Sequence, residues 1–149
     1  MEKFLVQNTQ KRQREESDSE SEVEINRANI TDISKYPGDG PTQPILKCYP
    51  SKQQGHKSRS FVSTWYTEHC WIEYSIILNA IFCFACRHFN HGKDDETAFT
   101  TTGFSNWKKA YTSLPGHRQS AMHSRCMEAW DEFKEKIKHG SKIIKSFFL

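Results

Sequence analysis

Two cysteines spaced as Cys83-Phe84-Ala85-Cys86, and two histidines thirty residues later spaced as His117-(five residues)-His123, constrain this chain more than any other feature. Two thiols separated by two residues reach one ion from a tight turn, and two imidazoles complete a tetrahedron around it. That is the donor set of a structural zinc site. A metal-stapled binding module is therefore expected rather than an enzyme. The thirty-residue gap is long for a minimal finger, so a sub-element has to sit inside it. On one regular helix, positions six apart stand about 120° from each other around the axis. His117 and His123 converge only if His117 lies at the Pro115-Gly116 break and His123 in the first turns of the helix proper.

Other donors stay open at this level. His88 and His91 lie near the knuckle, and Cys126 is about one helical turn past His123. Cys126 falls on an apolar face, where a small buried thiol is ordinary. Cys48 and Cys70 have no partner at ligand spacing and read as structural. The competing readings make Cys83 and Cys86 plain core thiols, or a thioredoxin-like redox pair. The redox pair requires a helix opening at the motif within a βαβ unit. Here the motif ends a hairpin, and irregular chain is expected after it.

The core that would need such a staple is small. Of 19 aromatic residues, 17 follow residue 44, so about a hundred residues carry the folded part. They are rich in aromatics and poor in aliphatics, and metal binding would strengthen a core of that size substantially. Five cysteines form an odd number, and the segment MEKFLVQNTQ has no apolar stretch fit for export. The reduced, intracellular reading is favoured over a disulfide framework. No run of about 18 apolar residues suggests a membrane span. Residues 1–50 carry seven Lys/Arg and nine Asp/Glu; residues 51–149 carry fourteen and nine, an excess of five positive charges. That balance permits contact with nucleic acid without demanding it.

Four segments are expected. Residues 1–35 read as a disordered charged tail: Lys11-Arg12-Gln13-Arg14 precedes an acidic run from Glu15 to Glu22. The basic tetrad suits a nuclear-import signal as well as it suits a solvated tail. Ser17, Ser19 and Ser21 each have Glu at the third following position, as an acidophilic kinase requires. Residues 36–57 read as a Pro/Gly-rich linker, with Ile45-Leu46 and Tyr49 able to dock as an extended strand. Residues 58–140 hold the domain: an aromatic cluster at Phe61, Trp65, Trp71, Ile72 and Tyr74, then a hairpin of Tyr74–Leu78 and Ala80–Phe84 turning at Asn79. A helix capped by Ser105 is interrupted at Pro115-Gly116. A longer helix over roughly 118–139 carries Met122, Cys126, Ala129, Trp130, Phe133 and Ile137 on one face and stops at Gly140. Residues 141–149 form a C-terminal tail. The expected fold is thus a small α+β zinc-stapled domain, a β-hairpin with a cysteine knuckle plus two helices, behind a disordered tail.

In order along the chain stand Arg59-Ser60-Phe61, Trp65-Tyr66, Trp71-Ile72-Glu73-Tyr74-Ser75, Phe82-Cys83-Phe84-Ala85-Cys86-Arg87-His88-Phe89, Ala98-Phe99, Gly103-Phe104-Ser105-Asn106-Trp107-Lys108-Lys109-Ala110 and His117 to His123. Together they resemble the TTF-type zinc finger. That module occurs near the N-terminus of hAT-superfamily transposases and of host proteins similar to zinc-finger MYM-type protein 1. Tyr36-Pro37-Gly38 and Tyr49-Pro50 resemble the lead-in of those proteins, and the resemblance covers roughly residues 36–130. It implies Zn2+ held by Cys83, Cys86, His117 and His123, a nuclear location, and DNA or another nucleic acid as partner. Such transposases continue into an RNase-H-like catalytic domain. This chain has neither the length nor the spaced carboxylates for it, and Asp94-Asp95-Glu96 reads as a solvated loop. The expectation is a transposon-derived or truncated product with no enzymatic activity and no small-molecule substrate.

Phosphate contacts are expected from Lys108 and Lys109 first, then Arg87, Arg118 and Arg125, with Lys52, Lys57 and Arg59 as further candidates. Trp107 beside them reads as core. A module for protein partners in a nuclear complex, using exposed aromatics, is the reading from a different class.

Overall fold

The computed structural model describes residues 32–92 and 97–147. The basic tetrad, the acidic serine segment and Asp94-Asp95-Glu96 lie outside those residues.

The centre of the molecule is an antiparallel hairpin, β3 (Ile72–Ser75) with β4 (Ala80–Cys83), paired Ile72 to Cys83, Glu73 to Phe82, Tyr74 to Ile81 and Ser75 to Ala80. Side chains alternate across a strand, yet all eight residues are buried, so both faces of the hairpin are covered. Ile72, Tyr74, Ile81 and Cys83 face the main aromatic core with Phe61, Trp65, Trp71 and Trp107. On the other side, Ala80 and Phe82 pack with Ile33 from the N-terminal segment.

The strands are shorter than the sequence suggests. Tyr74–Leu78 does not run on as a strand: it stops at Ser75, and Ile76 and Ile77 are exposed in the turn. Asn79 takes φ +45, a left-handed conformation that asparagine tolerates. Its Oδ1 accepts from the Tyr74 hydroxyl at 2.7 Å and its Nδ2 donates to the Pro50 carbonyl at 3.1 Å, which holds the turn against the core. Phe104 adds a bridge to β4, exchanging two backbone hydrogen bonds with Ile81 at 2.8 and 2.9 Å. The chain reaches that edge only because Gly103, at φ +85, has no Cβ. A Cβ there would lie 2.8 Å from the Ala80 Cβ and 2.9 Å from the Phe82 ring.

Two stretches assigned to tail and linker belong to the folded unit. Within residues 32–35, Ile33 and Ser34 are buried, and the Asp32 carboxylate accepts from the Ser75 hydroxyl at 2.8 Å and from the Ile77 amide at 3.0 Å. Within 36–57, Leu46 and Tyr49 pack on the core while Ile45 stays exposed. The same segment supplies β1 (Lys52–Gln54), paired with β2 (Lys57–Arg59) around Gly55. Gln54 fixes this second hairpin: its amide donates to the Ser105 carbonyl at 2.8 Å and its Oε1 accepts from the Lys108 amide at 2.7 Å.

The helices are a single turn α1 (Trp65–Glu68), then α2 (Phe84–Phe89), α3 (Ala110–Arg118) and α4 (Ala121–Phe147). Irregular chain was expected after the cysteines, but α2 opens directly on them. Ser105 does not cap a helix. The chain passes through Asn106 and a 3-10 turn, Trp107–Lys109, into α3. Pro115 sits inside α3 rather than ending it, and the break falls after Arg118, where the Gln119 amide donates to the Pro115 carbonyl. The long helix continues through Gly140 instead of stopping there, so residues 141–147 are helical. Along it Met122, Cys126 and Trp130 are buried, and Trp130 and Phe133 meet Phe84 and Phe89 of α2 at 4.8 and 5.6 Å between rings. Among the described residues, no helix is long and apolar enough to cross a membrane.

Candidate metal centre

Cys83 is the last residue of β4 and the N-cap of α2, and its sulfur accepts from the Cys86 amide at 3.4 Å. A β-strand running straight into a helical turn thus folds both thiols toward one point. His117 comes from the last turn of α3. His123 comes from the first turn of α4, where the Ser120 hydroxyl accepts from the His123 amide at 3.2 Å. That is the bond of an N-cap to the third helical residue, and it sets where His123 begins its turn. The two histidines do come from different helices. The break between them lies at Gln119-Ser120, not at Pro115-Gly116, because Pro115 is accommodated in α3.

The four side chains converge. All are buried, and their donor atoms lie within 4.8 Å of one another. Cys83 Sγ is 3.4 Å from His123 Nδ1, and Cys86 Sγ is 3.5 Å from His117 Nε2 and 3.6 Å from His123 Nδ1. The two imidazole nitrogens stand 3.1 Å apart. A tetrahedral ion of zinc's size, with bonds of about 2.3 Å to sulfur and 2.0–2.1 Å to nitrogen, implies edges of about 3.5 Å between S and N and about 3.3 Å between two nitrogens. These four observed distances fit those edges. Cys83, Cys86, His117 and His123 could therefore hold one metal ion, and all four positions around it would be filled by protein. Among the described residues, no other group of three or more such side chains comes together.

The walls are aromatic. The Trp71 ring lies 5.0 Å from His117, tilted to it, and 4.8 Å from His123, edge-on, and Phe99 lies 4.3 Å from His117. The Trp71 carbonyl accepts from the Phe84 amide at 2.9 Å, which ties this wall to the start of α2. Dry surroundings act on the donors as expected. Burial, with His117 and Arg118 nearby, pushes the His123 imidazole down to about 4. The Cys86 thiol is raised, first by its hydrogen bond with Cys83 and then by burial. A bound cation reverses the thiol's preference, because the thiolate is the ligand form.

The rival donors are placed elsewhere. His88 Nε2 lies 2.9 Å from the Ser34 hydroxyl, and burial lowers its pKa. His91 is exposed. Cys126 is in the core cluster. Cys48 and Cys70, read as structural, are exposed and outside the cluster.

The basic residues divide. Lys108, Lys109, Arg118 and Arg125 are exposed. Lys108 and Lys109 sit on the 3-10 turn, not at mid-helix, and Trp107 beside them is buried. Lys57 on the β1–β2 hairpin is exposed too, and Gln54 holds that hairpin against Lys108. Arg87 is not available as a surface contact. It forms an ion pair with the fully buried Glu73 and donates to Ser34, at 3.2 Å to the hydroxyl and 3.1 Å to the carbonyl. Glu73 also accepts from the Ser34 and Thr42 amides, each at 3.1 Å. Sequence reasoning missed Glu73 and Ser120. The signal for Glu73 was a lone acid inside an apolar strand. The signal for Ser120 was a serine just ahead of an amphipathic helix.

No solved structure matches the chain. Residues 97–147, 51 of 149, match the family model described as ZMYM1/FAM200, RNase-like domain. The matched residues carry His117, His123, α3 and α4. They are helical, turn or loop apart from the Phe104 bridge, and their acids Glu128, Asp131, Glu132 and Glu135 form no cluster among the described residues. The match is consistent with a ZMYM/hAT-related family.

Proposed function

We propose that this chain is a zinc-stapled, TTF-type nucleic-acid-binding module, transposon-derived, which works in the nucleus by binding and not by catalysis. The observation that carries the reading is the buried Cys83–Cys86–His117–His123 cluster, whose four donor atoms lie within 4.8 Å of one another and could hold one ion. Two soft thiolates and two imidazoles in a tetrahedron favour zinc over hard cations. A site closed by four protein donors is structural, because it leaves no position for water or substrate. The ion's contribution here is to hold β4, α2, α3 and α4 together.

Binding is assigned to the surface that joins Lys108 and Lys109 to the β1–β2 hairpin. Lys108 and Lys109 are exposed, and the hairpin beside them carries Lys57. Such a surface meets the phosphate backbone rather than base edges, so affinity should fall steeply with salt. The double variant Lys108→Glu with Lys109→Glu should weaken binding to every duplex alike while zinc content and melting stay unchanged. Unaltered affinity removes this surface as the contact. A zinc-loaded wild type that binds no duplex at low salt favours a protein-interaction module instead, a reading supported by the exposed rings of Tyr36 and Tyr111.

A further inference from the structure

All four side chains of the metal centre are buried, yet one cleft reaches a member of it directly. A cleft of about 340 Å³ is lined by His69, Cys70, Trp71, His123 and Met127. His123 is thus a wall of the cleft as well as part of the centre. Both imidazoles pack on the Trp71 indole, His69 at 5.3 Å and His123 at 4.8 Å between rings. Glu68 and Arg118 also line the cleft. Their charges are opposite, so neither a cation nor an anionic chelator is turned away.

The cleft brings together a thiol, an imidazole and a thioether, the donor types that zinc accepts. His69 is 7% exposed, and its Nδ1 is buried with no hydrogen-bond partner among the described residues. A buried polar atom left unpaired is uncommon enough to call for a reason. Cys70 beside it is a free, exposed cysteine. The turn that carries both is fixed. The His69 amide donates to the Trp65 carbonyl at 2.8 Å, and the Ile72 amide donates to the His69 carbonyl at 3.0 Å. The Gln43 side chain donates to the Cys70 carbonyl at 3.1 Å. These donors stand next to a ligand without joining the centre. His69 and Cys70 alone are too few for a structural site of their own, which takes four. They suit an ion in passage. Cys48, also exposed, does not line this cleft.

We infer that this cleft is the exchange route of the metal centre, and that Cys70 is the donor through which zinc passes from the folded chain to an acceptor. The inference rests on the reading of Cys83, Cys86, His117 and His123 as a zinc site. His123 gives up its bond as the Cys70 sulfur forms one, and the thiol proton passes to the imidazole set free. The unpaired His69 nitrogen is accounted for if it meets the ion on its way. The full zinc-loaded chain is kept reduced by a phosphine, so that no added thiol competes, and mixed with excess chromogenic chelator. Zinc content and thermal melting are measured first on every variant. Cys70→Ser should keep one zinc per chain and the wild-type melting temperature, yet release zinc several-fold more slowly. Cys70→His, which restores a donor, should recover most of the rate, and Cys48→Ser should leave it unchanged. Equal rates in wild type and Cys70→Ser overturn the inference in favour of release by opening of the fold. Faster release from Cys70→Ser overturns it too, because the thiol then retains the ion instead of passing it on. A wild type without stoichiometric zinc defeats the reading of the centre itself, and this inference with it.

Discussion

Arg87 forms an ion pair with Glu73, a carboxylate buried completely beneath the N-terminal segment, and it does so from the position immediately after Cys86. The pair therefore joins two things: the α2 turn that presents the second thiol, and the strap of residues 32–42 whose amides Glu73 also binds. Removing one member leaves the other charge buried without its partner.

Arg87→Ala should accordingly cost about 3–5 kcal/mol of stability. Glu73→Gln with Arg87→Met should recover a large part of that loss. Chemical denaturation of the two single and the double variants measures it. Equal losses in Arg87→Ala and in the double variant would mean that the charge pair is incidental. Duplex affinity, normalised to folded protein, should be unchanged by Arg87→Met, since the guanidinium is engaged inside the molecule.

The strap also sets where the chain can be shortened. Deleting residues 1–31 should leave the melting temperature nearly unaltered, whereas deleting residues 1–36 removes the buried Ile33 and the Asp32 and Ser34 bonds. The longer deletion should cost about 2–5 kcal/mol, the range for losing one buried aliphatic side chain and its polar neighbours. Thermal melts of the two truncations decide between this boundary and one at residue 35.

Acid should loosen the fold in a defined window. The buried His123 imidazole sits at about 4 against an ordinary value of 6.5. The unfolded chain then binds the proton that the folded one refuses, so stability rises with pH between those values and is level above them. Melting temperature should fall as pH is lowered from about 6.5 toward 4, with any bound metal released over the same range. A melting temperature independent of pH between 4 and 6.5 would place the histidine differently.

Much of the site was legible in the sequence because its chemistry is local: Cys83 and Cys86 are two residues apart, and the histidines announce themselves by type. The break that lets them converge was legible as a necessity but not as a place. Proline inside a helix was read as a stop, yet Pro115 sits within α3 and the chain turns at Ser120. The hairpin was visible, but its ends were not, because Ile76 and Ile77 carry strand propensity into what is a turn. The folding of Asp32–Lys35 onto the hairpin was hidden, since burial of Ile33 depends on Ala80 and Phe82 far along the chain. Arg87 was misjudged for the same reason: its partner Glu73 is a tertiary fact. Gly140 reads as a stop by propensity, and the helix passes through it.

The central claim is that Cys83, Cys86, His117 and His123 close around one zinc ion and that the fold depends on it. Structural zinc of this kind contributes on the order of 10 kcal/mol to small modules. The most direct measurement is the metal content of the purified chain, taken together with its thermal melt with and without a strong chelator. The account predicts one zinc per chain, a cooperative melt that collapses on chelation, loss of both in Cys83→Ser, and neither lost in Cys48→Ser. Protein without stoichiometric zinc that melts identically in chelator would contradict it.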